Sequence, residues 1–148
     1  MTIWEFQRTV ARGLLTWSGI SVALGLLMGA ARTPFANGVS SQFLGWPVIN
    51  SGIALFGLFS AGRRERTLND AHTRQRRAKE AHNLRRLLRI NAVLDIGYMA
   101  GGLWLLARRE RSERLRGAGL GIVLQGAFLF VYDTVLSLRV PDVDAKRG

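Results

Sequence analysis

The sequence predicts an all-α fold, an integral membrane four-helix bundle whose third helix continues into a basic cytoplasmic extension. Three observations lead there. Residues 13–31 and 33–62 contain no charged side chain, and uncharged stretches of about 18 residues or more read as membrane spans. The charge is concentrated: 21 Lys and Arg against 10 Asp and Glu give a net +11, and ten of the 21 fall in residues 63–89. Glycine occurs 17 times in 148 residues, well above its usual share of about 7%. Segregation of charge from a 48% hydrophobic remainder argues against a soluble enzyme domain and against a disordered basic chain. With no cysteine, disulfides and thiolate metal sites are excluded.

The chain reads as a single membrane domain over residues 1–148. The first span is 13–31, preceded by Arg8 and Arg12. Small residues at Met28-Gly29-Ala30-Ala31 resemble a signal-peptidase site, and the segment reads as a signal-anchor. Trp4-Glu5-Phe6 suggests a short interfacial segment ahead of it, since Trp favours the headgroup level. Pro, Asn, Gly and Ser between Thr33 and Ser41 read as a loop, so the second span runs from about 42 to 62, with Pro47 in its first turns. The third is 90–107, interrupted by one charge, Asp95, and the fourth is 117–138, holding Gln125 and Asp133. Between spans two and three lies the basic segment 63–89, where Asn69-Asp70 reads as a turn and N-cap. From Ala71 onward there is neither Gly nor Pro until Gly97, which predicts one long helix entering the third span.

Four crossings put both termini and the basic segment on one side. That side holds Arg8, Arg12, the ten of 63–89, Arg139, Lys146 and Arg147, fifteen in all; the other holds Arg32, Arg108, Arg109, Arg111, Arg114 and Arg116. The positive-inside rule assigns the larger group to the cytoplasm, hence a multi-pass protein of the cytoplasmic (inner) membrane. Five arginines in residues 108–116 fit the outer side poorly. The alternative is that span three or four enters without crossing.

Helix association in lipid relies on small residues. Each span offers a pair at four-residue spacing: Gly25/Gly29, Gly57/Ala61, Gly97/Gly101 and Gly117/Gly121. These serve packing inside one bundle or, on the alternative reading, self-association.

Polar groups inside spans are costly and are the default candidates for function. Asp95 lies five residues after Ile90 and Asp133 five before Leu138, so an antiparallel hairpin places both about 7 Å inside the cytoplasmic edge at 1.5 Å per residue. Asn91 is one turn away, and Arg89 and Arg139 are within side-chain reach. Two carboxylates at one depth can share a proton, bind a cation or dock a cationic partner; on the structural reading they pair with Arg89 or Arg139, or accept bonds from Asn91 and Tyr98 or Tyr132. Asn50 and Gln125 form a deeper layer in which they can bond to each other. His72 and His82 are ten residues apart, unlike helical metal-ligand spacing, and neither a catalytic triad, a phosphate loop nor a cofactor motif is present. Arg74, Arg76, Arg77, Lys79, Arg85 and Arg86 are candidates for binding anionic lipid headgroups or an acidic partner, favoured over nucleic acid because they adjoin a span.

Three stretches carry a family resemblance: Gly45-Trp46-Pro47-Val48-Ile49-Asn50 with Ile53-Ala54; Asn91-Ala92-Val93-Leu94-Asp95-Ile96-Gly97-Tyr98; and Gly119-Leu120-Gly121 through Gln125-Gly126-Ala127-Phe128-Leu129 to Asp133. The chain, from about Gly13 to Leu138, resembles a family of small bacterial four-helix membrane proteins of unknown function. The resemblance supports four spans, draws attention to Asn50, Asn91, Asp95, Gln125 and Asp133, and implies no activity. Pro47 departs from the family pattern, which implies a different start for the second helix. The expected function is a non-enzymatic integral membrane protein, a structural, assembly or accessory subunit binding a membrane partner or a second copy of itself. The alternative is a small oligomeric transporter or ion-conducting protein using Asp95 and Asp133.

Overall fold

A capping box starts the first helix. In the computed structural model, which describes residues 1–142, the Thr2 hydroxyl accepts from the Glu5 amide at 3.2 Å and the Glu5 carboxylate accepts from the Thr2 amide at 2.7 Å. From there α1 runs unbroken over Ile3–Ala30, so Trp4 to Phe6 open the first helix itself. Lys146 and Arg147, counted above in the charge balance, lie outside the described residues.

The second helix begins earlier than its composition suggests. α2 spans Pro34–Thr67, and the supposed loop is its first turns. Thr33 caps it, accepting from the Ala36 amide at 3.2 Å, and Pro34 sits where no amide hydrogen is needed. The loop-like residues that follow are used for packing. The Ser40 hydroxyl donates to the Gly25 carbonyl at 2.7 Å and that of Ser41 to the Gly38 carbonyl at 2.6 Å. Gly38 lies against the backbone of Arg114 and Ala118. Pro47 is buried inside α2 rather than near its start; the helix continues through it, although the missing N–H leaves the Phe43 carbonyl without its usual partner.

α3 is a single helix over Arg74–Ala107, carrying the basic segment and the third apolar run together. Its cap is Thr73, not Asn69-Asp70: the Thr73 hydroxyl accepts from the Arg76 amide at 3.2 Å, while Asp70 stabilises the preceding turn and meets Arg76 at 3.2 Å. α4 covers Glu113–Arg139, starting one turn before Gly117, so the arginine-rich connection shortens to residues 108–112. Arg116 ties its ends together, donating to the Leu106 carbonyl at 3.1 Å.

All described residues are helix or short connection, without strands, and each of the four helices is long and apolar enough to cross a membrane. The helices alternate in direction. α4 is the hub: it packs on α3 and on α2, while α1 packs on α2. Two glycine faces of α4 make this possible. Gly117 and Gly121 receive α2, at the Phe35 backbone and the Gln42 side chain. Gly119 and Gly126 receive α3, at Gly102 and Met99. Gly25 and Gly29 of α1 admit Leu44 and Ser40, and Ala61 is buried. By contrast, a Cβ at Gly57, Gly97 or Gly101 would meet nothing within 4 Å. Those three do not pack inside this chain; Gly102 and Gly119, one residue or one face removed from the expected pairs, do.

Burial is arranged in two opposite ways. At the basic end, where α1 and α3 begin and α2 and α4 finish, Ile3, Trp4, Phe6, Ala61, Ala71, Ala81, Leu88 and Val140 form an apolar core. Trp4 is only 1% exposed and donates its indole N–H to the Ala71 carbonyl at 3.1 Å. Along the apolar runs the pattern inverts. Ser18, Ser21, Asn50, Asp95, Gln125 and Asp133 are buried, whereas Leu27, Val48, Phe56, Phe59 and Val93 are exposed.

Candidate functional site

Two polar layers occupy the interior. In the first, Gln125 of α4 is fully buried and bonds α1. Its carbonyl accepts from the Trp17 indole N–H at 3.0 Å, and its amide donates to the Ser21 hydroxyl. The expected Asn50–Gln125 bond is therefore absent, because both ends of Gln125 are taken by α1. Trp17 stacks on Phe128 with ring centroids 3.5 Å apart, Phe128 stacks on Tyr132, and the Tyr132 hydroxyl donates to the Val10 carbonyl at 2.6 Å. These aromatic bridges join α1 to α4. A tryptophan in the middle of an apolar run needs an acceptor for its N–H, which is the signal that identifies Trp17.

The second layer lies nearer the basic end. Asp95 and Asn91 on α3 and Asp133 on α4 come together, since Asp133 is within interaction reach of both. Asp95 is 4% and Asp133 8% exposed, so both face the interior. Neither forms an ion pair with Arg89 or Arg139 among the described residues; both arginines are exposed. One oxygen of Asp95 is buried without a hydrogen-bond partner, and so is the side-chain nitrogen of Asn50 on α2. A step toward the opposite end, Trp46 and Tyr98 meet edge to face at 5.2 Å, bridging α2 and α3.

Above this layer is a cavity of about 420 Å³ contributed by all four helices. Its inner part includes Asn91, Tyr132 and Asp133, its sides Ile53, Phe56 and Leu87, and its basic end Gln7, Arg64 and Glu80. Glu80 is a buried acid within the charge run, 5% exposed. It is held by Arg64 at 3.2 Å and by the Gln7 amide at 3.2 Å. Nothing in the sequence marks it, because a single buried acid in a charge run looks like its solvated neighbours. Nearby, Arg8 and Glu65 pair between α1 and α2.

The six basic candidates divide. Arg76 is engaged with Asp70, and Arg85 donates to the Val140 carbonyl at 3.1 Å and meets Asp142 at 3.3 Å. Arg77 is half-buried, and Arg74 and Lys79 are exposed near the start of α3. Arg85 and Arg86 join His82 and Arg89 along a surface depression that continues over Ile90, Val93 and Leu94. Basic side chains thus pass directly into an apolar strip on one helix.

The fold and its interior define a class: an all-helical protein of four helices, each with the length and apolar character of a membrane span. Within that class the chain belongs to DUF6992, a family of unknown function, which it matches over residues 13–134. No curated protein and no solved structure matches the chain.

Proposed function

We propose that this chain is a non-enzymatic, four-span protein of the cytoplasmic membrane that acts as a structural, assembly or accessory subunit, binding a partner helix within the bilayer. The inverted burial along the apolar runs carries the reading. A water-soluble bundle would hide Phe56, Phe59 and Val93 and expose Asp95, Asp133 and Gln125; here the reverse holds, as lipid requires. The partner surface is the outer side of α2 and α3. Gly45 and Gly52 on α2, and Gly97 and Gly101 on α3, leave backbone uncovered, which is where a further helix can approach closely. The basic depression along α3 suits anionic headgroups, each basic residue contributing about 1 kcal/mol near such a surface.

Native purification in lipid nanodiscs tests this. A co-purifying chain or a second copy should be present and should be lost in Gly97→Leu with Gly101→Leu. A lone protomer that never associates contradicts it. A second reading, transport or ion conduction through Asp95 and Asp133, is favoured by the cavity reaching Asp133. Liposome flux abolished by Asp95→Asn would select that reading.

A further inference from the structure

The cavity's electrostatics are not closed. At its basic end Arg64 is matched by Glu80 at 3.2 Å, so that pair adds no net charge. At its inner end Asp133 lines the wall and Asp95 lies beside it, and no arginine, lysine or histidine is paired with either among the described residues. Two adjacent carboxylates in a low-dielectric interior call for a compensating cation, several donors or a shared proton. The chain supplies Asn91 to Asp133 and leaves one oxygen of Asp95 without a partner. The remaining walls are mostly apolar, Leu14, Ile53, Leu84 and Leu87 among them, interrupted by Ser60 and Asn83. The α2 and α3 backbones hardly approach one another, and Phe56 and Leu87, at 75% and 53% exposure, flank the gap between them. The volume, about 420 Å³, falls in the range of roughly 300–1,000 Å³ that holds organic ligands.

We propose that this cavity binds a lipophilic organic cation, entering from the lipid between α2 and α3, with its charged centre at Asp133 and Asn91 and its apolar groups against the leucine and isoleucine walls. A bare metal ion would leave those walls unused, and an anionic amphiphile would meet two carboxylates. The selectivity is therefore for charge first and for an apolar body second. This inference does not rest on the partner-helix reading, although a helix seated on the outer side of α2 and α3 would lie across the same entrance.

The test uses the full chain in nanodiscs, with empty nanodiscs subtracted, and two probes of nearly identical shape and opposite charge: tetraphenylphosphonium and tetraphenylborate. Saturable binding is expected for the cation and not for the anion. Asp133→Asn keeps the side-chain size and should weaken the cation about tenfold or more, the loss of one contact to a charged group. Gly57→Phe is the second variant. Gly57 lines the cavity, and a Cβ there meets nothing within 4 Å, so a ring can fill the gap without displacing the helices. It should also abolish binding, and it decides the matter if Asp133→Asn fails to fold. No saturable cation binding, equal binding of the anion, or unchanged affinity in a folded variant would each overturn the proposal.

Discussion

Replacing Gly119 with alanine should push α3 and α4 apart. A Cβ at this position would stand 2.6 Å from the Gly102 carbonyl oxygen and 2.7 Å from the Leu106 amide nitrogen. Ordinary contact begins at 3.4 Å, so the helices must separate by about 0.8 Å locally or tilt. Both obstructing atoms are backbone and cannot rotate away. Overpacking costs roughly 1–3 kcal/mol, and the upper half of that range applies when nothing flexible absorbs the strain. Alanine's better helix propensity returns up to about 1 kcal/mol. A net loss of about 1–2 kcal/mol remains, roughly a 5- to 30-fold shift in the unfolding equilibrium. Gly101→Ala is the matched control on the facing helix: its Cβ meets nothing, so it should be neutral or stabilising by up to about 1 kcal/mol. Titration from mild detergent into SDS, followed by tryptophan fluorescence, measures both. Equal stabilities for the two variants, or a stabilised Gly119→Ala, would refute the assignment of α4's inner face to α3.

Gln125→Leu should destabilise the bundle by about 1–3 kcal/mol, since the Trp17 indole and the Ser21 hydroxyl lose their buried partner; the same titration reads it, and an unchanged midpoint would count against the α1–α4 bridge. Reporter fusions at Arg111 and at Gly148 should report opposite compartments, the latter cytoplasmic; the same compartment for both would remove the fourth crossing. The Glu5 carboxyl is held below its usual range chiefly by the hydrogen bond from the Thr2 amide. Its support of α1's first turn is thus complete above about 4.5, the ordinary value, and fades as pH falls through the lower folded value. Amide protection factors in that turn, which divide out the intrinsic pH dependence of exchange, should fall on acidification in the wild type and stay constant over the same range in Glu5→Gln.

Four helices were legible because a stretch of some twenty residues with at most one charge is a strong, local signal that needs no knowledge of neighbours. The start of α2 was not. Pro34, Asn37, Gly38 and Ser40 have the composition of a loop, yet each is compatible with a helix whose neighbours use the small residues for close approach and supply acceptors for the hydroxyls. The packing glycines were read in part for a related reason. Four-residue spacing identified Gly117 and Gly121, the face toward α2, but Gly119 and Gly126 are seven apart on the opposite face, and only the position of α3 reveals their use. Asp95, Asn91 and Asp133 were placed together by counting residues along a hairpin, a calculation that depends on helical rise alone. Gln125's true partners depend on which helix lies beside α4 at that depth, and nothing in the order of residues states that α1 does. Trp4 illustrates the same limit: its apolar surroundings come from three separate stretches, 3–10, 61–88 and 136–140, that meet only in the folded bundle.

The absence of cysteine allows the central claim to be measured with single introduced thiols. Spin labels at Val48, Phe56, Val93 and Val131, all exposed on the outer face of the bundle, should collide readily with dissolved oxygen and be shielded from a water-soluble nickel chelate when the protein is in bilayers. A label at Arg86, exposed on the basic extension of α3, should show the opposite preference. That pattern is what a membrane-embedded, inverted bundle requires. Nickel access at Val48, Phe56, Val93 and Val131 equal to that at Arg86 would contradict it.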